Sequence, residues 1–274
     1  KLESCDLCPR SCRVNRIAGE KGYCGATDKL MVSSFAPHFG EEAPLVGTFG
    51  SGTIFLTNCP LKCEFCQNYD ISINGMGREV SVGACSKMML KLQAMGCHNI
   101  NLVTPTHYAP QLVMAIAEAA EKGLRLPVVW NCGGYESLEA VRLLEGVVDI
   151  YMPDFKFHSG TASFRYAGAR DYFERCSEST AEMHRQVGDL KIEGGIATRG
   201  VLIRHLVMPG LLKDSKEILE FIRSLSKEAY VNIMAQYRPM YKAFEHPEID
   251  RAVTSEEVKE AISYARELGL HRGF

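Results

Sequence analysis

A single tryptophan in 274 residues, no surplus of either charge, and no apolar run near the ~20 residues of a membrane span mark this chain by what it lacks. Lys plus Arg number 31 against 33 Asp plus Glu, so the net charge of −2 provides no basic field to gather nucleic acid or an anionic membrane surface. The longest apolar stretches, such as residues 112–120, break well short of a span, and the chain is not expected to cross a bilayer. No apolar signal region is visible, so a cytoplasmic location is the default expectation. Internal repeats and low-complexity segments are also missing. With 46% hydrophobic and 23% charged residues, the composition excludes disorder, a fibrous repeat and a coiled coil. A chain of this length can bury a core without disulfides.

Cysteine is abundant instead: 11 residues, an odd number, beside 11 methionines. In a reducing compartment such density points to metal ligation or redox chemistry rather than to a disulfide framework. Cys5, Cys8, Cys12 and Cys24 crowd the N-terminus, and Cys59, Cys63 and Cys66 form a second cluster. Cys85, Cys97, Cys132 and Cys176 are scattered and read as small buried residues.

From about residue 50, short apolar or β-branched runs alternate with helical patterns, the βαβα rhythm of a parallel sheet. Six strands are expected, at 53–57, 99–103, 128–131, 148–152, 201–207 and 230–235. Helices are expected at 84–95, 110–122, 137–144, 162–187, 215–225 and 255–268. Six βα units are too few to close an eight-stranded barrel, so the fold class is α/β, an open partial (β/α)6 TIM-like barrel, with a doubly wound sheet as the alternative. Either places ligands at the C-terminal ends of the strands. Residues 1–48 fall outside the rhythm and form a cysteine-rich N-terminal extension; residues 49–274 form the barrel.

The segment after the first of these strands reads Cys59-Pro-Leu-Lys-Cys63-Glu-Phe-Cys66, or CxxxCxxC. Three thiolates on one loop can hold an iron-sulfur cluster and leave one iron without a protein ligand, an open position for another molecule. A zinc knuckle completed by a distant residue, or three cysteines buried by accident, are the alternatives on spacing alone. The N-terminal pattern, CxxCxxxC with a fourth cysteine at Cys24, fits a closed thiolate site, either zinc or an auxiliary iron-sulfur cluster.

CxxxCxxC with the aromatic Phe65 before its third cysteine, in the loop after the first strand of a βα chain, resembles the radical S-adenosylmethionine (SAM) superfamily. The segments CQNYDIS (66–72), IYMPDFK (150–156), IRHLVMPG (203–210) and NIMAQYRP (232–239) are similar to segments of pyruvate formate-lyase activating enzymes and of a branch related to them. The resemblance implies an oxidoreductase in which Cys59, Cys63 and Cys66 hold a [4Fe-4S] cluster, SAM chelates the fourth iron, and one electron cleaves SAM to a 5′-deoxyadenosyl radical that abstracts hydrogen. It also implies an electron donor such as flavodoxin or ferredoxin, and a substrate that is a glycine Cα of a partner enzyme, another protein or peptide site, or a small molecule. The rival from a different class is an iron-sulfur or zinc protein that transfers electrons or binds a partner without cleaving SAM.

By the same resemblance Phe65 and Asn68 flank the cofactor, Asn131 lies near the SAM ribose, Asp154 and Lys156 form a DxK pair beside SAM, and Arg204 is the arginine of the fifth strand. One feature departs from the pattern. The Gly-Gly-Glu-like motif expected after the second strand is replaced by 104–108, TPTHY, so Thr104, Thr106 and His107 are the candidate substitutes for its contacts.

Overall fold

The structure is a computed structural model that describes residues 1–274. Chain order is β1 (Leu30–His38), α1 (Ala43–Val46), β2 (Ser51–Leu56), α2 (Tyr69–Ser72), β3 (Arg78–Val80), α3 (Val82–Ala94), β4 (Ile100–Val103), α4 (Ala109–Glu121) and β5 (Val128–Cys132). Then follow α5 (Leu138–Arg142), β6 (Ile150–Phe155), α6 (Gly160–Ala167), α7 (Tyr172–Val187), β7 (Lys191–Glu193), β8 (Ile196–Leu206), α8 (Leu212–Leu225), β9 (Tyr230–Met234) and α9 (Ser255–Glu267).

All six expected strands are present, as β2, β4, β5, β6, β8 and β9, and they pair in parallel in that order. β9 pairs only with β8, so the sheet stays open and the fold is the partial TIM-like barrel. The buried faces of β5 and β6 are near-continuous apolar runs, as expected where helices cover one side of a parallel sheet and the lumen the other. Trp130, Tyr151 and Phe155 are fully buried there. No helix is long and apolar enough to cross a membrane.

Three strands have no counterpart in the sequence reading. β1 lies within residues 1–48 and pairs antiparallel with β2, so the sheet continues into the N-terminal extension. β3 adds antiparallel to β1, and β7 to the first half of β8. The single helix expected over 162–187 is two helices. Gly168 adopts the left-handed conformation (φ 60°) as the C-cap of α6, a position glycine fills without steric cost, and the chain restarts at Tyr172. α9 begins with a complete capping box: Thr254 accepts from the Glu257 amide, and Glu257 accepts from the Thr254 amide.

The segment between β1 and β2 positions part of the site. It leaves the end of β1 and reaches β6 and β8: Leu45 of α1 is fully buried in a cluster with Ile150, Met152 and Leu202, and Asn99 donates to the Leu45 carbonyl at 2.8 Å.

Candidate active site

The cysteine loop leaves the C-terminal end of β2 in a sharply bent path. Asn58 (φ 64°) and Lys62 (φ 51°) both occupy left-handed backbone, and so does the β-branched Thr104 (φ 59°) at the end of β4. Such conformations cost ~1–3 kcal/mol each and gather where surrounding structure and function require them. Hydrogen bonds hold the loop from three directions. Tyr108 accepts from the Asn58 amide at 2.9 Å, the Tyr166 carbonyl accepts from the Glu64 N–H at 2.8 Å, and Arg10 donates to the Pro60 carbonyl at 3.1 Å. Phe65 is buried between Phe157 and Tyr237, with ring centroids 5.9 and 5.6 Å away, which turns the flanking Cys63 and Cys66 toward the lumen.

Cys59, Cys63 and Cys66 line one cavity of about 360 Å³ at the C-terminal ends of the strands. Phe65, Asn68, Thr104, Asn131, Asp154, Lys156 and Arg204 line it too, so seven of the nine expected cofactor contacts share one space with the thiols. Sheet register explains the grouping: Asp154 pairs with Arg204 across β6 and β8, and Arg204 with Asn232 across β8 and β9. Arg204 donates from Nε to Asp154 Oδ1 and from Nη2 to Asn131 Oδ1, both at 2.7 Å, while Lys156 pairs with the other oxygen of Asp154.

Thr106 and His107 do not line this cavity. Both are buried away from the cavity, because the chain turns into a short 3-10 segment directly after Thr104. Thr106 donates its hydroxyl to Glu136 at 2.5 Å, and His107 Nε2 lies 2.8 Å from the Thr57 carbonyl. Burial pushes His107 down to about 3, so its ring is neutral and structural. Glu136, fully enclosed, is pushed up to about 7 by the same loss of solvent.

Sequence reasoning missed His38, Gly40 and Glu41, which line the cavity from the far side, and Cys132, Gly133, Leu206, Met234 and Gln236. The first three come from outside the βα rhythm and carry no motif. Cys132 had a signal: it directly follows Asn131 at the end of β5. Gly134 is obligatory, because a Cβ there would lie 2.2 Å from the Asp154 carbonyl oxygen. Its absence lets the β5 loop cross the end of β6, where Tyr172 donates to the carbonyls of Gly133 and Asp154.

The electrostatics favour a charged Asp154. Burial opposes its ionisation, but Arg204 and Lys156 outweigh that and hold the carboxyl below its ordinary 3.8. A depressed native pKa adds stability that is present above the unfolded value and lost as pH falls through the native one. Asp154→Asn, which removes the one carboxylate that both Lys156 and Arg204 hydrogen-bond, should cost about 3 kcal/mol or more at pH 7. Urea unfolding of both proteins from pH 7 to 3 checks this: the difference should shrink below pH ~4, as protonation removes the charge from the unsubstituted protein as well.

Thiols also gather in the extension. Cys5, Cys8 and Cys24 are buried and Cys12 is half-buried. The Cys5 N–H donates to the Val14 carbonyl and the Arg13 N–H to the Cys5 carbonyl, while a side chain at Gly22 would strike Cys12 Sγ at 2.3 Å. Arg10 lies 3.9 Å over the Tyr23 ring and Lys62 Nζ 5.5 Å from it, so the extension packs on the cysteine loop through Tyr23. Nowhere in the chain do three Cys, His, Asp or Glu side chains converge on the position of a single metal ion. A tetrahedral zinc site draws sulfurs to about 3.8 Å from one another, whereas a four-iron cluster receives its thiolates at separate corners. Three thiols from one loop lining one cavity fit the second kind of group.

Residues 53–222 match the radical SAM superfamily. The chain is 35% identical to an uncharacterized protein of Methanocaldococcus jannaschii, over 98% of this chain and 76% of that one. Among solved structures it is similar to SuiB of Streptococcus suis bound to the precursor peptide SuiA (13% identity, TM-score 0.54, 79% of this chain and 46% of that one). It is also similar to HydG, a maturase of the [FeFe]-hydrogenase (14%, 0.51, 78% and 48%), and to the methyltransferase TsrM of Kitasatospora setae with cobalamin and a [4Fe-4S] cluster bound (12%, 0.51, 68% and 37%). The chain spans less than half the length of each of these three, and at such identities the likeness is one of fold. With the family match over well over half of its length and a relative at 35% identity, the chain belongs to the radical SAM superfamily.

Proposed function

We propose that the protein is a radical SAM enzyme whose Cys59, Cys63 and Cys66 hold a [4Fe-4S] cluster with one iron left open for SAM. The observation that carries this reading is the single cavity shared by the three thiols with Asn131, Asp154, Lys156 and Arg204. Bound there, the cluster and SAM together supply the hydrogen-abstracting radical. The chain's own residues bind, orient and exclude water. Arg204 has its fork fixed by Asp154 and Asn131 and its Nη1 facing Glu41 at 3.6 Å, and Lys156 adds a second cation on the other oxygen of Asp154, so the cavity offers both signs of charge to SAM. Phe65, Leu61 and Leu206 line the same space and keep it dry.

The finer reading follows the sequence segments: a branch related to pyruvate formate-lyase activating enzyme, with a hydrogen taken from a protein or peptide site. The peptide bound to SuiB supports a peptide substrate for this fold. Activation of a glycyl radical enzyme, supply of electrons by a flavodoxin or ferredoxin, and a cytoplasmic setting belong to the same proposal. Anaerobic incubation of reconstituted, reduced protein with SAM should yield 5′-deoxyadenosine and methionine in equal amounts. No 5′-deoxyadenosine from a protein that holds four irons would overturn the reading.

The N-terminal thiols form a second metal site in this proposal, zinc or iron-sulfur, independent of the first. Elemental analysis of a Cys59/Cys63/Cys66 triple alanine variant, prepared without air, should find about one zinc, or several irons with sulfide, per chain. Metal-free protein would contradict it.

A further inference from the structure

Arg204 stands among more carboxylates than it can satisfy. Its Nε and Nη2 are taken by Asp154 and Asn131, and Lys156 takes the second oxygen of Asp154. Two further acids arrive from the segment between β1 and α1. Glu42 Oε1 accepts from Asn232 Nδ2 at 2.9 Å, while its Oε2 is buried with no hydrogen-bond partner. Glu41 Oε2 stands 3.6 Å from Arg204 Nη1, an ion-pair distance too long for a hydrogen bond. Two permanent cations, Lys156 and Arg204, therefore face three carboxylates.

Glu41 is where that surplus meets open space. Its side chain is only 8% exposed, yet it lines the cavity. It ends a polar row: Lys156 pairs with one oxygen of Asp154, Arg204 with the other, and Glu41 faces the far side of Arg204. A carboxylate more than nine-tenths buried, without a hydrogen bond and facing a cavity, is costly unless a ligand completes it. Neither a phosphate nor a carboxylate would serve, since the surplus is already negative. A cation with N–H donors would.

We propose that Glu41 binds a cationic group of the substrate, a primary ammonium or a guanidinium, at the end of this row opposite Lys156. This deepens the reading of the cavity as a radical SAM site, and rests on it for the identification of the ligand as substrate. The cation is carried by a free amine or by a lysine or arginine side chain of a peptide; both offer Glu41 the same chemistry. Glu41 is a binding residue in this account.

Saturation-transfer NMR on cluster-loaded protein, with and without SAM, tests it with n-butylammonium and n-butylguanidinium chlorides, and with butanol and butyrate as neutral and anionic controls. At least one of the two cations should bind at least tenfold more tightly than butanol, and butyrate more weakly than either. Glu41→Gln should erase that preference and Glu41→Asp should keep part of it. The pentapeptide Gly-Gly-Lys-Gly-Gly, set against its norleucine counterpart, separates the two sources: preference for lysine indicates a peptide, and indifference a free amine. Equal binding of all four probes, or an undiminished preference in Glu41→Gln, overturns the proposal. So does a loss of SAM affinity in Glu41→Gln with the cation preference intact, which would assign the carboxylate to SAM. Failure of the underlying reading looks different: the loaded protein would not bind SAM at all, while the cation preference persisted in its absence.

Discussion

Replacing any one of Cys59, Cys63 and Cys66 with alanine abolishes formation of 5′-deoxyadenosine from SAM, the largest single-residue effect expected in this chain. Two thiolates cannot hold the cluster in the geometry that leaves one iron open, and no spare donor stands by. Cys132 lines the same cavity, but it follows Asn131 at the end of β5, on another wall. The remaining titratable neighbours, Asp154 and Lys156, are committed to each other. Fold should survive, because the loop is also held by Arg10, the Tyr166 carbonyl and the buried Phe65. Product analysis by mass spectrometry, alongside circular dichroism of each variant, checks this. A single-alanine variant that makes 5′-deoxyadenosine at the unsubstituted rate would remove that cysteine from the site.

The second large effect separates Arg204 from Lys156. Arg204→Lys keeps the charge but loses the planar fork, which now satisfies Asp154 and Asn131 with two nitrogens and holds a third, without a hydrogen bond, 3.6 Å from Glu41. SAM binding should weaken by ~1.5–3 kcal/mol, the range for a hydrogen bond to a charged group, or roughly ten- to a hundredfold. Lys156→Met keeps the stem and removes the charge next to Asp154, so cleavage should fall while the cluster still assembles. Equilibrium SAM titration and iron counts on the two loaded variants measure both losses. Unchanged affinity and unchanged cleavage in both variants would take these residues out of the site.

Much of this arrangement was legible in the sequence. The parallel strands announce themselves because β5 and β6 are buried on both faces, and a run such as Val-Val-Trp at 128–130, apolar at every position, suits a strand covered on both sides. CxxxCxxC places its own loop, since three thiols so close in sequence must share a neighbourhood. What stayed hidden depends on pairing rather than on pattern. β1 lies between β3 and β2 through antiparallel pairings fixed only by tertiary contact, and β3 and β7 are three residues each, too short to show any period. Gly168 ends α6 through one left-handed residue inside an otherwise continuous helical pattern. Thr106 and His107 follow Thr104 so closely that sequence puts all three at the rim. The backbone reversal at Thr104 sends the next two into the core, and a single φ of that kind leaves no trace in composition. Glu41 is one of two adjacent acids before a four-residue helix, and only the long return of its segment to β8 brings it to Arg204.

The central claim is an iron-sulfur cluster that SAM reaches directly, and the most direct test is the electron paramagnetic resonance spectrum of the singly reduced, reconstituted protein with and without SAM. Direct ligation to an open iron predicts a signal whose g-values shift on addition of SAM, saturably, in the unsubstituted chain, and whose response is weakened in Arg204→Lys. A reduced-cluster signal that saturating SAM leaves unchanged would contradict the account.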